Sequence, residues 1–204
     1  MKAMLNLAVL VSGRGSNLQA IIDRIESGNL DAQISVVVSN AADAYGLIRA
    51  KNYGIPTRTL SPRDYSDRRD YDGALARMIE KFHPDLIVLA GYMLVLTPAF
   101  LDVFPQRVIN IHPALLPAFP GTHAQKQALD YGVKVAGCTV HFVDAGTDTG
   151  PIIAQRVVPV LDDDTEDTLA ARILEQEHMI LPTVIQWIAQ GKVELKGRKV
   201  FVKD

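Results

Sequence analysis

The chain has 204 residues, of which 48% are apolar, enough to form a buried core. Its 21 basic and 23 acidic residues leave a net charge of −2 with histidine neutral, which excludes the broad basic surface that holds nucleic acid by its phosphates. The single cysteine, Cys138, excludes an internal disulfide and favours a reducing compartment.

Apolar runs rich in valine and isoleucine alternate with amphipathic stretches along the chain. The runs predict extended segments at residues 6–11, 33–39, 55–60, 85–90, 107–111, 135–143 and 152–158. The amphipathic stretches predict helices at residues 17–26, 43–52, 71–82, 124–131 and 165–190. The first apolar run is too short to span a bilayer, and no cleavage site follows it. We therefore expect a soluble, cytoplasmic protein.

This order of elements is typical of an α/β fold. It predicts a Rossmann-like open mixed sheet, with parallel strands in the N-terminal half, antiparallel strands in the C-terminal half and helices on both faces. Lys196-Gly197 predicts the turn of a C-terminal hairpin. We expect a single domain over residues 1–204, with an N-terminal half of about 1–105, a C-terminal half of about 106–190 and a hairpin at 191–204.

The longest predicted helix has signals at both ends and one in its interior. Thr165 is expected to be its N-cap, and Gly191 stands where a C′ glycine belongs. Pro182 predicts a kink or a break within the helix.

Residues 12–17, Ser-Gly-Arg-Gly-Ser-Asn, follow the first strand and open the first helix. Glycines allow a sharp turn, and the free N–H groups of a helix's first turn attract an anion. A dinucleotide site would need a third glycine at Leu18 and an acidic residue ending the second strand, and a P-loop would need Gly-Lys-Ser/Thr. Two interpretations remain: a phosphate cradle of Gly15, Ser16 and Asn17, or a plain turn in which Ser16 or Asn17 caps the helix.

A polar pair ends a predicted central strand. Period-2 alternation puts Asn110 and His112 on the same side, and Pro113 stops the strand. Both side chains should therefore lie near the C-terminal edge of the sheet, where open α/β sheets bind their ligands. Together they would stabilise an oxyanion, or they are buried polar residues that tie down the following loop.

The loop at residues 144–151 carries two carboxylates, Asp144 and Asp148. A carboxylate beside His112 would raise the pKa of that histidine, favour the imidazolium and orient a water for proton transfer. The alternative is a solvated turn, and spacing alone does not choose between the two aspartates.

Other polar features favour structural interpretations. The remaining histidines have no zinc-like spacing with one another or with Cys138, so no metal site is predicted, and Cys138 is expected to be a buried, inert thiol. Residues 162–164 predict a solvated loop. Residues 61–72 predict an exposed segment, from which an arginine could reach an anionic substrate.

Several motifs together resemble those of the phosphoribosylglycinamide formyltransferase family, the folate-dependent glycinamide ribonucleotide transformylases of purine synthesis. They lie at residues 11–20 (VSGRGSNLQA), 89–93 (LAGYM), 110–117 (NIHPALLP), 140–151 (VHFVDAGTDTGP) and 175–178 (EQEH). The resemblance covers roughly residues 5–190. It implies a single formyltransferase domain whose N-terminal half binds phosphate and whose C-terminal half carries the catalytic and folate-binding residues.

The resemblance also implies a role for each matching residue. The catalytic residues would be Asn110, His112 and Asp148. The phosphate and ribose of the substrate would meet Gly15, Ser16, Asn17 and Glu177. The folate pocket would be formed by Arg68, Met93, Leu94, Val95, Leu96, Asn110 and Val143. Position 94 is leucine here and arginine in many members of the family. This difference has little effect on the expected pocket, because backbone groups would hold the pterin-like ring there. The implied reaction passes a formyl group from 10-formyltetrahydrofolate to 5-phosphoribosylglycinamide without a metal.

Three other protein classes share parts of this pattern. Methionyl-tRNA formyltransferase carries a C-terminal tRNA domain and formyltetrahydrofolate hydrolase an N-terminal regulatory domain, and we expect this length to leave room for neither. A non-catalytic folate- or nucleotide-binding module is disfavoured because Asn110, His112 and Asp148 occur together. We therefore expect small-molecule substrates, no nucleic-acid or membrane partner, and a homodimer as a possible assembly.

Overall fold

A computed structural model describes residues 4–203 of the chain. The chain divides into two compact units, Met1–Asn110 and Ile111–Asp204. The expected single domain over residues 1–204 stays a prediction.

The first unit alternates strands and helices. Its strands are β1 (Leu5–Val11), β2 (Ala32–Ser39), β3 (Thr57–Thr59), β4 (Leu86–Leu89) and the start of β5 (Val108–His112). All of these strands pair in parallel. Its helices are α1 (Ser16–Glu26), α2 (Tyr45–Asn52), α3 (Arg68–Glu80) and α4 (Pro98–Leu101), with a 3-10 turn at Pro62–Asp64. The core follows from the sequence, because the valine- and leucine-rich strands β1, β2 and β4 bury most of their side chains on both faces.

The second unit takes over at the end of β5. Its elements are α5 (Ala124–Tyr131), β6 (Val135–Phe142), β7 (Ile152–Pro159), α6 (Glu166–Ala189), β8 (Val193–Lys196) and β9 (Lys199–Val202). The strands β6 and β7 pair antiparallel, as do β8 and β9. The long helix α6 packs on β6 and β7.

The predicted fold class is confirmed. The seven strands run in the order β3-β2-β1-β4-β5-β6-β7, parallel in the N-terminal half and antiparallel toward the C-terminus, with helices around the sheet. The strands lie within two residues of the predicted runs because a continuous apolar run marks a strand buried on both faces. The turn-like helix α4 was not predicted, because four residues are too few to show helical periodicity.

The two ends of α6 match their sequence signals, and its interior is continuous. Thr165 Oγ1 accepts a hydrogen bond from Thr168 N at 3.2 Å, and Thr168 Oγ1 accepts one from Thr165 N at 2.9 Å. Gly191 has φ 68°, as a C′ glycine requires. Of the two outcomes expected at Pro182, the break is absent because the helix runs through this residue, and the kink stays a prediction. Pro182 is buried among apolar residues of α6, and their packing outweighs the hydrogen bond that proline cannot make.

Three smaller predictions are corrected. The hairpin turn is Gly197-Arg198, one residue later than expected, since Lys196 pairs with Lys199. The 61–72 segment is not exposed throughout, because its last residues, Tyr71 and Asp72, are fully buried. The 162–164 loop is not simply solvated, because the side chain of Asp164 is 2% exposed beneath Arg172, which donates to it at 2.7 and 2.8 Å.

Cys138 lies in β6 and is fully buried, as expected. Burial raises the pKa of its thiol to about 12, and nearby Glu177 adds to this effect. A thiol in this state is protonated and unreactive at neutral pH.

Candidate active site

The glycine turn places Gly15 at the N-cap of α1. Its φ of 68° lies in the left-handed region, and a Cβ there would stand 2.6 Å from the Cα of Gly46. Glycine is therefore required twice, by the backbone conformation and by the close approach of α2. The N-cap residue is Gly15, which has no side chain to cap this end of α1, so neither Ser16 nor Asn17 stands at the N-cap position. The first-turn N–H groups are thus arranged as in an anion site.

A cavity of about 230 Å³ opens at this turn. It is lined by Ser12, Gly13, Arg14, Gly15, Ser16, Asn17, Ala90, Gly91 and Met93. Ser12 Oγ donates to Asn40 Oδ1 at 2.6 Å and accepts from Met93 N at 2.9 Å, which ties the turn to the predicted folate segment. The structure thereby brings the three phosphate candidates and Met93 to one cavity. It also adds exposed Arg14, a cation that the sequence analysis did not select.

Strand β5 carries the predicted polar pair. Asn110 is partly exposed, whereas His112 is 4% exposed, and alternation along the strand turns both side chains to the same side. Pro113 follows directly, so the pair stands at the C-terminal end of the strand.

Both ring nitrogens of His112 face oxygen atoms that accept hydrogen bonds. Nε2 lies 2.9 Å from the carbonyl oxygen of Phe119, and Nδ1 lies 3.3 Å from Asp148 Oδ2. A carbonyl can only accept, so Nε2 carries a proton and donates it to Phe119. Nδ1 is therefore the nitrogen that gains or loses a proton, and a proton bound there would be donated to the carboxylate of Asp148.

Asp148 is held by contacts on both of its oxygens. Its Oδ2 accepts from Gly121 N at 2.8 Å, and its Oδ1 lies 3.6 Å from Nε2 of His141. His141 in turn has Nδ1 2.8 Å from the carbonyl oxygen of Phe142. The sequence analysis missed His141, whose only signal was a histidine within the buried apolar run of β6.

The structure separates the two aspartates of the 144–151 loop. Asp144 Oδ1 accepts from Gly146 N at 3.1 Å and from Thr149 Oγ1 at 2.6 Å, so it closes its own loop. Asp148, with φ 54°, reaches His112 instead. Geometry thus makes the choice that spacing left open.

Burial and hydrogen bonding act against each other in this pair. Burial lowers the pKa of His112 and outweighs the opposite effects of the Phe119 carbonyl and Asp148. Asp148 does raise the pKa of His112, as expected, but burial lowers this pKa by more, so the net shift does not favour the imidazolium. For Asp148, burial raises the pKa, but hydrogen bonds from His141 and Gly121, with the nearby imidazoles, lower it by more than burial raises it. The pair therefore holds a neutral imidazole beside an ionised carboxylate, an arrangement suited to moving a proton.

The remaining predicted residues lie in two places. Met93 and Val95 are exposed, Leu94 is half-buried and Leu96 is buried, so residues 93–96 form a surface segment anchored at one end. Arg68 reaches the same segment and donates to the carbonyl oxygen of Val95. In the second unit, Val143 is half-buried after β6, and Glu177 is 7% exposed on α6.

Two kinds of feature are absent from residues 4–203, a metal-binding cluster and a membrane-spanning helix. No three side chains of histidine, cysteine, aspartate or glutamate are grouped so that they could hold a metal ion. None of the helices in this range is long and apolar enough to cross a membrane.

The chain belongs to the formyl transferase family, whose model matches residues 5–185. A curated relative, phosphoribosylglycinamide formyltransferase of Escherichia coli strain K12, is 46% identical over 94% of this chain and 90% of its own length. The crystal structure of glycinamide ribonucleotide transformylase 1 from Symbiobacterium toebii is 49% identical, with a TM-score of 0.98 over 100% of this chain and 96% of that chain. A formyltetrahydrofolate deformylase structure from Pseudomonas syringae pv. tomato is 28% identical, with a TM-score of 0.91 over 98% of this chain and 66% of that one.

Proposed function

We propose that the chain transfers the formyl group of 10-formyltetrahydrofolate to the amine of 5-phosphoribosylglycinamide, a step of purine (IMP) biosynthesis. The observation that carries this proposal is the buried His112–Asp148 pair at the end of β5, in a member of the formyl transferase family. The relative from E. coli and the structure from S. toebii, both named for this activity, support it.

The reaction begins when the glycinamide amine attacks the formyl carbon and gives a tetrahedral oxyanion. The amide of Asn110 and the Nε2–H of His112 donate hydrogen bonds to that oxyanion. Nε2–H donates to the Phe119 carbonyl in this structure, so the oxyanion replaces that carbonyl as its acceptor.

Asp148 assists the proton transfer of the reaction through His112. Negative charge on the oxyanion, together with Asp148, opposes the effect of burial and raises the pKa of His112 again, so the imidazole binds a proton from solvent as the intermediate forms and returns it when the intermediate breaks down. The attacking amine loses one proton, which passes through water to the folate nitrogen as its bond to the formyl carbon breaks. One carbon–nitrogen bond forms and one breaks, and no covalent intermediate with the enzyme is required.

Substrate binding uses the remaining residues. The phosphate binds the first-turn N–H groups of α1 at Gly15, Ser16 and Asn17, and Glu177 contacts the ribose. The folate pocket contains Arg68, Met93, Leu94, Val95, Leu96, Asn110 and Val143. The cavity at the glycine turn, which Met93 helps to line, and the exposure of Met93 and Val95 support these assignments.

An assay with two acceptors tests the proposal. Purified protein is supplied with 10-formyltetrahydrofolate and either 5-phosphoribosylglycinamide or water alone, and released tetrahydrofolate is measured. We expect release that requires the ribonucleotide and forms the formylated product. Equal release without it would establish a hydrolase, which the similarity to a deformylase makes the second candidate, and no release would contradict both.

The setting of the reaction is part of the same proposal. We infer that the enzyme works in the cytoplasm, in keeping with its single buried thiol. A homodimer stays a prediction, which sedimentation of the purified chain at several concentrations would check.

A further inference from the structure

Asp72 on α3 is a fully buried carboxylate that the proposed reaction does not use. Its Oδ1 accepts from the guanidinium of Arg68 at 3.0 Å, and its Oδ2 accepts from Thr97 N at 2.7 Å. A buried charge is tolerated only where partners compensate it, so both oxygens need these donors.

The same ion pair fixes the segment that precedes Thr97. The guanidinium of Arg68 also donates to the carbonyl oxygen of Val95, while it lies 5.0 Å from the ring centre of Tyr71. Because Arg68 and Asp72 are one helical turn apart on α3, the helix holds the backbone of Val95 and Thr97 at fixed positions.

The side chains of this segment provide little anchorage of their own. Met93 is 68% exposed, Val95 is 53% exposed and Leu94 is half-buried, so within residues 93–96 apolar packing anchors the backbone only at buried Leu96. The N–H of Met93 is held by Ser12 at the start of the segment, and the Asp72–Arg68 pair holds its other end. A backbone that must present hydrogen-bonding groups to a ligand gains affinity when it is fixed in advance.

We propose that Asp72 is a positioning residue for the folate-binding segment: its carboxylate, through Arg68 and Thr97, sets the backbone of residues 93–97 in the conformation that receives the pterin-like ring. This inference rests on the proposed function, because it takes that segment as the folate site. Asp72 itself makes no contact with the substrate.

The chain offers a matched control for a purely structural role. Asp164 also accepts from an arginine, Arg172, and from a backbone N–H, that of Leu161 at 2.7 Å. Its contacts order the start of α6 and lie apart from residues 93–97 in the sequence. Asp72→Asn and Asp164→Asn therefore each remove a carboxylate that accepts from an arginine and from a backbone N–H. Only Asp72 adjoins the proposed folate segment.

Steady-state kinetics with each substrate varied in turn provide the test. For Asp72→Asn we expect the KM for 10-formyltetrahydrofolate to rise roughly tenfold or more, with the KM for 5-phosphoribosylglycinamide within about twofold of wild type. Asp164→Asn should lower the Tm while leaving both KM values near wild type. Hydrogen exchange at the Thr97 amide should speed up in Asp72→Asn and not in Asp164→Asn.

The outcomes separate this inference from the function that it assumes. A folded Asp72→Asn with an unchanged folate KM, or with both KM values raised equally, contradicts the positioning role while the function stands. If Asp72→Asn does not fold, Thr97→Pro removes the N–H donor, and with it the Thr97 hydroxyl, at a residue whose φ of −88° proline nearly matches, and the same selective rise is expected. A wild-type chain that neither binds tetrahydrofolate nor turns over overturns the proposed function, and this inference with it.

Discussion

At the scale of single residues, the site depends on oxygen atoms that face a buried imidazole. His112 has an acceptor at each ring nitrogen, and Asp148 accepts a hydrogen bond from Gly121 N and lies 3.6 Å from His141 Nε2. The ring is therefore held in one orientation before any substrate arrives. This preorganisation gives both residues effects on turnover that exceed their effects on stability.

Substitutions of the pair should show this difference. His112→Asn and Asp148→Asn should each lower kcat on the order of 100-fold or more. The first variant lacks the imidazole that donates to the oxyanion, and the second lacks the carboxylate that favours protonation of this imidazole. The comparison is His123→Asn, since His123 has a 75% exposed side chain and a φ of 56° that asparagine tolerates. Near-wild-type turnover in folded forms of both site variants would contradict the assignment.

At the scale of elements, the junction of β1 and α1 combines a backbone requirement with a packing requirement. Gly15 needs its positive φ and also the absence of a Cβ against Gly46, whereas Gly28 has a φ of 71° with open space around it. The two glycines therefore separate the cost of conformation from the cost of the close approach.

The two glycines should lose different amounts of stability when each is replaced by alanine. Gly28→Ala should lower the free energy of unfolding by about 1–2 kcal/mol, the cost of a left-handed alanine. Gly15→Ala should cost more than this and should raise the KM for the phosphorylated acceptor, because α2 must move away from the phosphate cradle. Chemical denaturation gives the first quantity and acceptor kinetics the second. Equal destabilisation with an unchanged acceptor KM would show that the contact with Gly46 plays no part.

Element boundaries were largely predictable from the sequence, but the pairing of polar side chains was not. Apolar runs located the strands, and alternation placed Asn110 and His112 together because both signals are local. Asp72 meets Thr97 across 25 residues, and His141 approaches Asp148 through a loop, so no spacing rule anticipates either contact. For the same reason, a segment rich in arginine and aspartate was taken as exposed although it contains a buried carboxylate.

At the scale of the whole molecule, the buried imidazole links stability to pH. Burial lowers the pKa of His112 below its ordinary value of 6.5, so the unfolded chain binds the proton more readily than the folded chain. The free energy of unfolding should therefore rise with pH between the lowered pKa and about pH 6.5, and the contribution is lost as pH falls through that window.

Denaturation curves collected at intervals between about pH 5 and pH 7 measure this slope. The His112→Asn variant cannot titrate, so its curve should be flatter over the same range. The contribution of Asp148 to the free energy of unfolding is lost at lower pH, because the pKa of its carboxyl is lowered in the folded chain and protonation of this carboxyl destabilises the fold. A wild-type chain that becomes more stable on acidification through this window would show that the fold favours the imidazolium.

The buried thiol of Cys138 can be used to measure local unfolding of the chain. The only thiol lies fully buried in β6 with a pKa raised to about 12, so a water-soluble alkylating reagent at neutral pH cannot label the closed form. Labelling should proceed only when β6 is exposed, giving one adduct per opened molecule and a rate that reports the population of that form. Saturating substrates should slow the labelling if they stabilise this part of the fold, so mass spectrometry of a single adduct would follow ligand binding without any engineered probe.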